Sequence, residues 1–263
     1  MLRALYTAAT GMNAQELNID VISNNLANIN TTAYKKSRAD FQDLVYQYIV
    51  EPGAETSADT INPSGISVGL GVEPVAVHKI FEQGDLTSTG RTLDVAIEGD
   101  GFFQVDLPNG GGQAYTRAGS FQLDQNNQLV TPEGYVLTGA PTIDTTAVAI
   151  EISSDGFINV RTPGTTTASQ AGQLTAWRFP NPSGLKAMGQ NLYLETDAAG
   201  GATSGTWGAD GLGRLNQGFL ETSNVSVVEQ VVNMITAQRA YEASSKGVQS
   251  ADEILGQAIN LKR

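Results

Sequence analysis

Residues 226–260 read SVVEQVVNMITAQRAYEASSKGVQSADEILGQAIN, with Val227, Met234, Tyr241, Val248 and Leu255 at intervals of seven. Ala237, Ser244, Ala251 and Ala258 each follow three residues after a member of that series. Large and small residues therefore alternate along one seam, the pattern of a helix that another helix approaches closely. Val231 and Ile259 widen the apolar face, each one turn beyond a seam residue. Ser226 followed by Glu229 is a capping-box pair, so the helix is expected to start there and to run to about Asn260, roughly 50 Å at 1.5 Å per residue.

A second seam lies at the other end of the chain. Leu5, Met12, Ile19 and Leu26 are seven apart, with Leu2, Ala8, Ile22 and Ile29 on the adjoining positions. Between the two helices the period changes to two and turn residues multiply. Ala147–Ile152 and Phe157–Val160 flank Ser153-Ser154-Asp155-Gly156, a hairpin with an Asp-Gly turn. A second hairpin is expected from Tyr115–Leu123 to Gln128–Thr131 around 124–127, with short strands at 66–72, 75–81, 94–97, 102–106 and 173–179. Segments 51–65 and 197–213, rich in Gly, Ser, Thr, Ala and Pro, read as loops or extended arms. The expected fold class is α+β and discontinuous: long N- and C-terminal helices forming a coiled-coil-like helical domain around a central, mainly antiparallel all-β domain. Its segments are the N-terminal helix at 1–30, a linking segment at 31–72 with an arm at 46–65, a β-rich body at 73–223 and the C-terminal helix at 224–263.

Charge follows the same division. The chain of 263 residues has net charge −12, yet residues 1–50 and 215–263 together hold eight bases and nine acids. The seven bases and eighteen acids left in the middle make it a solvated acidic body of net −11, while nearly neutral ends suit burial. Gln15, Gln238, Ser245 and Asp252 lie on or beside the seams, so an isolated helix pair is marginal in water. Two uses of the ends follow: a packed pair stapled to the β domain, or helices brought together among many copies into a polymer with the β body outside.

Much chemistry is excluded. With no cysteine and one histidine, His78, thiolate zinc sites, cysteine nucleophiles and histidine metal clusters are absent. A Ser-His-Asp triad would have to use His78, which falls in an expected strand. Gly99-Asp100-Gly101 lacks the third glycine of a dinucleotide loop and reads as a tight turn into an aromatic strand. Asp124-x-Asn126 lacks the glycine and distal glutamate of a calcium loop. Asp94 with Glu98 or Asp100 is the pair a glycosidase would need, on a surface where acids are expected anyway. No catalytic residue, cofactor or metal is expected, and the net charge repels nucleic acid. No run of 18 apolar residues spans a bilayer, and no cleaved signal peptide is expected at the N-terminus.

Ser23-Asn24-Asn25-Leu26-Ala27-Asn28, then Thr31 and Tyr34-Lys35, resembles the N-terminal signature of bacterial flagellar rod and hook proteins. Gly218-Phe219-Leu220-Glu221-Thr222-Ser223-Asn224-Val225, then Glu229, Met234-Ile235, Gln238–Glu242 and Lys246, resembles the family's C-terminal signature. Leu93–Ile97 with Gly99-x-Gly101-Phe102-Phe103, Tyr115-Thr116-Arg117-x-Gly119-x-Phe121, and Gly189-x-Asn191-Leu192-Tyr193 are similar to its β domain. Ala33, Asn127 and Ser244 depart from the family pattern, Ala33 standing where a glycine is usual.

The resemblance implies a structural subunit of a helical tube that transmits motor torque, crossing periplasm and outer membrane. It implies export by the flagellar type III apparatus and, as partners, further copies of the chain and the proximal rod, hook and ring proteins. The segment 46–65 is one that hook proteins lack, and with the length it is similar to that of distal rod members. Other family positions, hook or proximal rod, are the alternatives, as is a secreted β-rich enzyme acting on polysaccharide. The expected subunit interface comprises Leu5, Met12, Ile19, Ile22, Leu26 and Ile29 on the first helix. On the last helix it comprises Val227, Val231, Met234, Tyr241, Val248, Leu255 and Ile259. Tyr46, Tyr48, Ile49, Pro52, Ile61 and Pro63 are expected to form a stiffening arm that docks on a neighbouring copy.

Overall fold

The computed structural model describes residues 2–260 apart from 54, 58, 59, 62, 109, 110, 145 and 165–167. The side chains of 2, 54–62 and 258–260 also lie outside the described set. The chain divides into two units, one made of 1–27, 37–78 and 226–263, the other of 28–36 and 79–225.

The first unit is built on α1 (Leu2–Ala27) and α2 (Val227–Asn260). Gln230 N–H donates to Ser226 O at 3.0 Å in the opening turn of α2, and Glu229 sits at the positive end of the helix dipole. The helices run antiparallel. Asn25 Nδ2 donates to Gln230 Oε1 at 3.4 Å, Gly11 faces Ser244 and Gly247 faces Ala8, so numbers rise on one helix as they fall on the other. Small residues line these crossings, and a methyl placed on Gly11 would lie 3.4 Å from Ser244 Oγ. The seams face each other within one chain, with Ala14, Ile22, Gln230, Ala237 and Ala251 buried.

The same unit carries two ribbons. Ser37–Asp43 pairs with Val72–Lys79. Tyr46–Val50 pairs antiparallel with Ile66–Gly69, and Glu55–Ser57 with Thr60–Ile61 beyond it. The segment expected as a loop or extended arm thus carries paired strands. Alternation of large and polar residues in Tyr46-Gln47-Tyr48 suits a strand, and the pairing register shifts between Tyr48 and Val50. Asn25 anchors the ribbon to α1, its side-chain amide pairing with Ser37 N–H and C=O at 2.8 Å each.

The second unit is β throughout its main body. Its largest sheet has seven strands, all neighbours antiparallel, in the order Gln122–Leu123, Leu129–Val130, Val136–Leu137, Phe103–Asp106, Gln113–Thr116, Leu192–Leu194, Lys186–Gly189. The Asp-Gly hairpin forms as expected, Ala149–Ile152 against Phe157–Arg161, with Ser169–Gln173 as third strand. The core gathers Val95, Ile97, Phe103, Phe121, Leu129, Ile158, Leu174 and Trp207. Trp207 comes from a stretch expected as a loop or extended arm, whereas Trp177 is half-buried beside a second cluster of Phe102, Tyr115, Phe179 and Tyr193. Gly99 and Gly101 take φ of 105° and 144° in the turn leading to Phe102, and Trp207 lies where a side chain on Gly101 would go.

Candidate functional site

Within the β-rich unit, the segment where the chain enters lies beside the segment where it leaves. Thr31–Tyr34 turns tightly, Tyr34 N–H donating to Thr31 O. The turn places Ala33 at φ 56° with its N–H donating to Glu221 O at 2.8 Å. Lys35 then points inward. Its Nζ lies 2.6 Å from Glu221 Oε1 and donates to Glu82 O at 2.6 Å, and neither charged side chain touches solvent.

Glu221 is the centre of the cluster. Its Oε1 also accepts Gly84 N–H at 2.9 Å, and its Oε2 accepts Arg117 Nε at 3.0 Å. Arg117 spends its two terminal nitrogens on Gly101 O at 3.0 Å and Gly99 O at 2.9 Å. Glycine is required around the site because there is no room for more: a methyl on Gly84 would meet Thr222 O at 2.1 Å, and one on Gly119 would meet Val95 O at 1.6 Å. Asn224 closes the arrangement, its Oδ1 accepting Lys36 N–H at 2.7 Å and its Nδ2 donating to Ile80 O at 2.9 Å. Asn191 Nδ2 donates to Thr32 O at 3.0 Å.

The electrostatics follow from burial. Removal from water, helped by repulsion from Arg117 and opposed by Glu221, lowers the Lys35 ammonium to about 8. Burial lowers Lys79, whose Nζ sits 4.6 Å from the Tyr34 ring centre, and raises the Tyr193 phenol. Both carboxylate oxygens of Glu221 are spent on other parts of the chain, so the cluster fixes backbone segments in place. Pieces of the N-terminal, middle and C-terminal signatures thus meet in one site.

The residues expected at the subunit interface fall into two groups. Ile22 is buried in α1, where Leu5, Met12, Ile19 and Leu26 are half-buried, while Ile29, expected on that helix, is half-buried in the turn after it ends at Ala27; on α2, Met234, Val248 and Leu255 are half-buried and Tyr241 is exposed. Val227 and Val231 are exposed, and with Val228, Val232 and Ile235 they make an apolar stripe at positions three and four apart. Tyr46, Tyr48, Ile49, Pro52 and Pro63 are exposed on the arm. The side chains of Ile61 and Ile259 lie outside the described residues. His78, the single histidine, has its Nδ1 3.1 Å from Asp40 Oδ2. The roles of Lys35, Arg117 and Glu221 escaped the sequence, since nothing in a charged residue's neighbours says that it is buried; Val228, Val232 and Ile235 were legible as a second apolar face.

Three family descriptions match the chain: flagella basal body rod protein over residues 5–35, flagellar hook protein FlgE/F/G D1 domain over 96–160, and flagellar basal body rod FlgEFG protein C-terminal over 216–261. The chain is 49% identical over 255 residues to the flagellar basal-body rod protein FlgG of Buchnera aphidicola subsp. Schizaphis graminum, covering 97% of this chain and 98% of the relative. It is 48% identical to FlgG of Borreliella burgdorferi and 41% identical to FlgG of Bacillus subtilis, in both cases over the full length of both chains.

Proposed function

The chain belongs to the flagellar basal-body rod family as a structural rod subunit, and on that premise we propose that it builds the distal rod. Copies stack into a helical tube that carries motor torque from the proximal rod to the hook, turning inside the ring proteins as it crosses periplasm and outer membrane. The subunit reaches its place through the flagellar export apparatus, and it performs no catalysis. Among the described residues no helix is long and apolar enough to cross a membrane.

The observation that carries the reading is the apolar stripe of α2. Val228 is 75% exposed and Val232 56%, on a helix whose other face already packs on α1. A stripe of this kind is stabilised by a second copy that removes it from water, at about 25 cal/mol per Å² buried. The arm offers a second contact: Tyr46, Tyr48 and Ile49 are rigid or branched side chains that lose little entropy on docking against a neighbour. On this basis we assign the interface between copies to Val227 and Val231 together with Val228, Val232 and Ile235 on the open face of α2, and a stiffening role to the arm.

Electron microscopy of detergent-extracted basal bodies with this protein labelled is the test. Label is expected along the rod between the inner rings and the hook; label confined to the hook, or absent from the tube, would refute the proposal.

A further inference from the structure

Lys35 and Arg117 are buried cations, and among the described residues the only carboxylate within ion-pair distance of either is Glu221. That carboxylate is 186 residues from Lys35 and 104 from Arg117 along the chain. The strands beside Arg117 have no such separation: Phe103–Asp106 and Gln113–Thr116 form a local hairpin. Local pairings close first in most chains, because the loop they close is short. Here early closure carries a penalty. A β unit packed without 219–221 holds two cations out of water with no counter-charge, which reduces its population on the order of a hundredfold or more.

We propose that the Lys35–Arg117–Glu221 cluster is a closing latch, which lets the β unit reach its native packing only when 219–224 dock. Asn224 adds to the same step, because Lys36 N–H and Ile80 O have it as their partner. The segment that arrives last along the chain is thereby the one that completes the unit. For a chain exported N-terminus first, the latch keeps the unit open until only residues after Glu221 remain to emerge. That consequence rests on the export reading above; the latch itself does not.

The test is refolding of the purified full chain from urea, with pulsed hydrogen exchange read residue by residue. In the unmodified chain, amides of Gln113–Thr116 and of Phe219–Glu221 are expected to gain protection in one phase, at rates within about twofold of each other. The variant Lys35→Met/Arg117→Met/Glu221→Met keeps side chains of similar length without charge. In it the 103–116 hairpin is expected to become protected about tenfold or more before 219–221. Three results overturn the latch: an earlier phase for the hairpin in the unmodified chain, a single phase retained in the triple variant, or failure of that variant to fold. The last would mean that shape and hydrogen bonding, rather than charge, hold the site together. None of these readouts depends on rod assembly.

Discussion

Ala33 sits at φ 56° in the buried turn that carries Lys35 inward, where the family resemblance leads one to expect glycine. The alanine adopts the conformation that a glycine would supply, so the turn is kept and the strain is borne. Left-handed backbone costs alanine about 1–2 kcal/mol, while its buried methyl returns roughly 0.8 kcal/mol and its stiffer unfolded chain several tenths more. Ala33→Gly should therefore leave stability within about 1 kcal/mol of the parent, whereas Ala33→Val, β-branched at positive φ, should lower it by about 2 kcal/mol or more. Urea midpoints on the two variants check this; a strongly destabilised glycine variant would show that the methyl contact outweighs the strain. Two residues along, Lys35 predicts a pH dependence. Its folded value is about 8 against an ordinary 10.5, so between those values the unfolded chain binds more protons. Stability from this group is complete above pH 10.5 and falls as pH drops towards 8, by an amount on the order of 2–3 kcal/mol. Comparing the parent with Lys35→Met at pH 7.5 and pH 10 isolates it. The parent should gain relative to the variant at the higher pH, and a loss there would contradict the assigned direction.

Two faces with separate tasks share α2. Met234, Val248 and Leu255, half-buried, turn towards α1 together with the buried Ala237 and Ala251, while Val227, Val228, Val231, Val232 and Ile235 are left to solvent. Seven-residue spacing identified the first face, because a strict repeat is the signature of a helix-on-helix seam. It could not say whether the partner helix belongs to the same chain, since periodicity carries no information about where a neighbour comes from. The antiparallel contacts of Asn25 with Gln230 and Gly11 with Ser244 answer that for the inner face. Substitutions should separate the two. Val231→Asp, on the open face, should change monomer stability by no more than about 0.5 kcal/mol yet abolish polymers. Met234→Asp should lower the stability of the helix pair itself by about 2–4 kcal/mol by placing a carboxylate in the seam. Thermal melts followed by circular dichroism measure the first quantity and sedimentation the second; normal polymers from Val231→Asp would remove the open stripe from the interface.

For the assembled protein, straightness is the property that the arm is proposed to supply. Tyr46–Val50 and Ile66–Gly69 form a two-stranded antiparallel ribbon with Tyr46, Tyr48, Ile49 and Ile66 exposed, and such a ribbon is marginal unless something covers it. A tube bends only if axial spacing differs between its two sides, and arms bridging copies along the axis resist that sliding. Deleting 46–65 with the flanks preserved should still permit polymers through the terminal helices, but curved or flexible ones. Straight rods from that deletion, seen by electron microscopy, would locate stiffness elsewhere. The helices at both ends, the antiparallel β middle, the Asp155-Gly156 hairpin and the family itself were legible from residues alone, because periodicity, turn chemistry and signature motifs are written over a few neighbouring positions. The strand pairing of the arm and the place of Trp207 were not, since short strands in Gly- and Ser-rich segments owe their form to pairing partners rather than to propensity. Least legible was the meeting of Lys35, Arg117 and Glu221: burial and counter-charge belong to a position in space, and residues 186 apart in the chain acquire both only when the sheets bring them together.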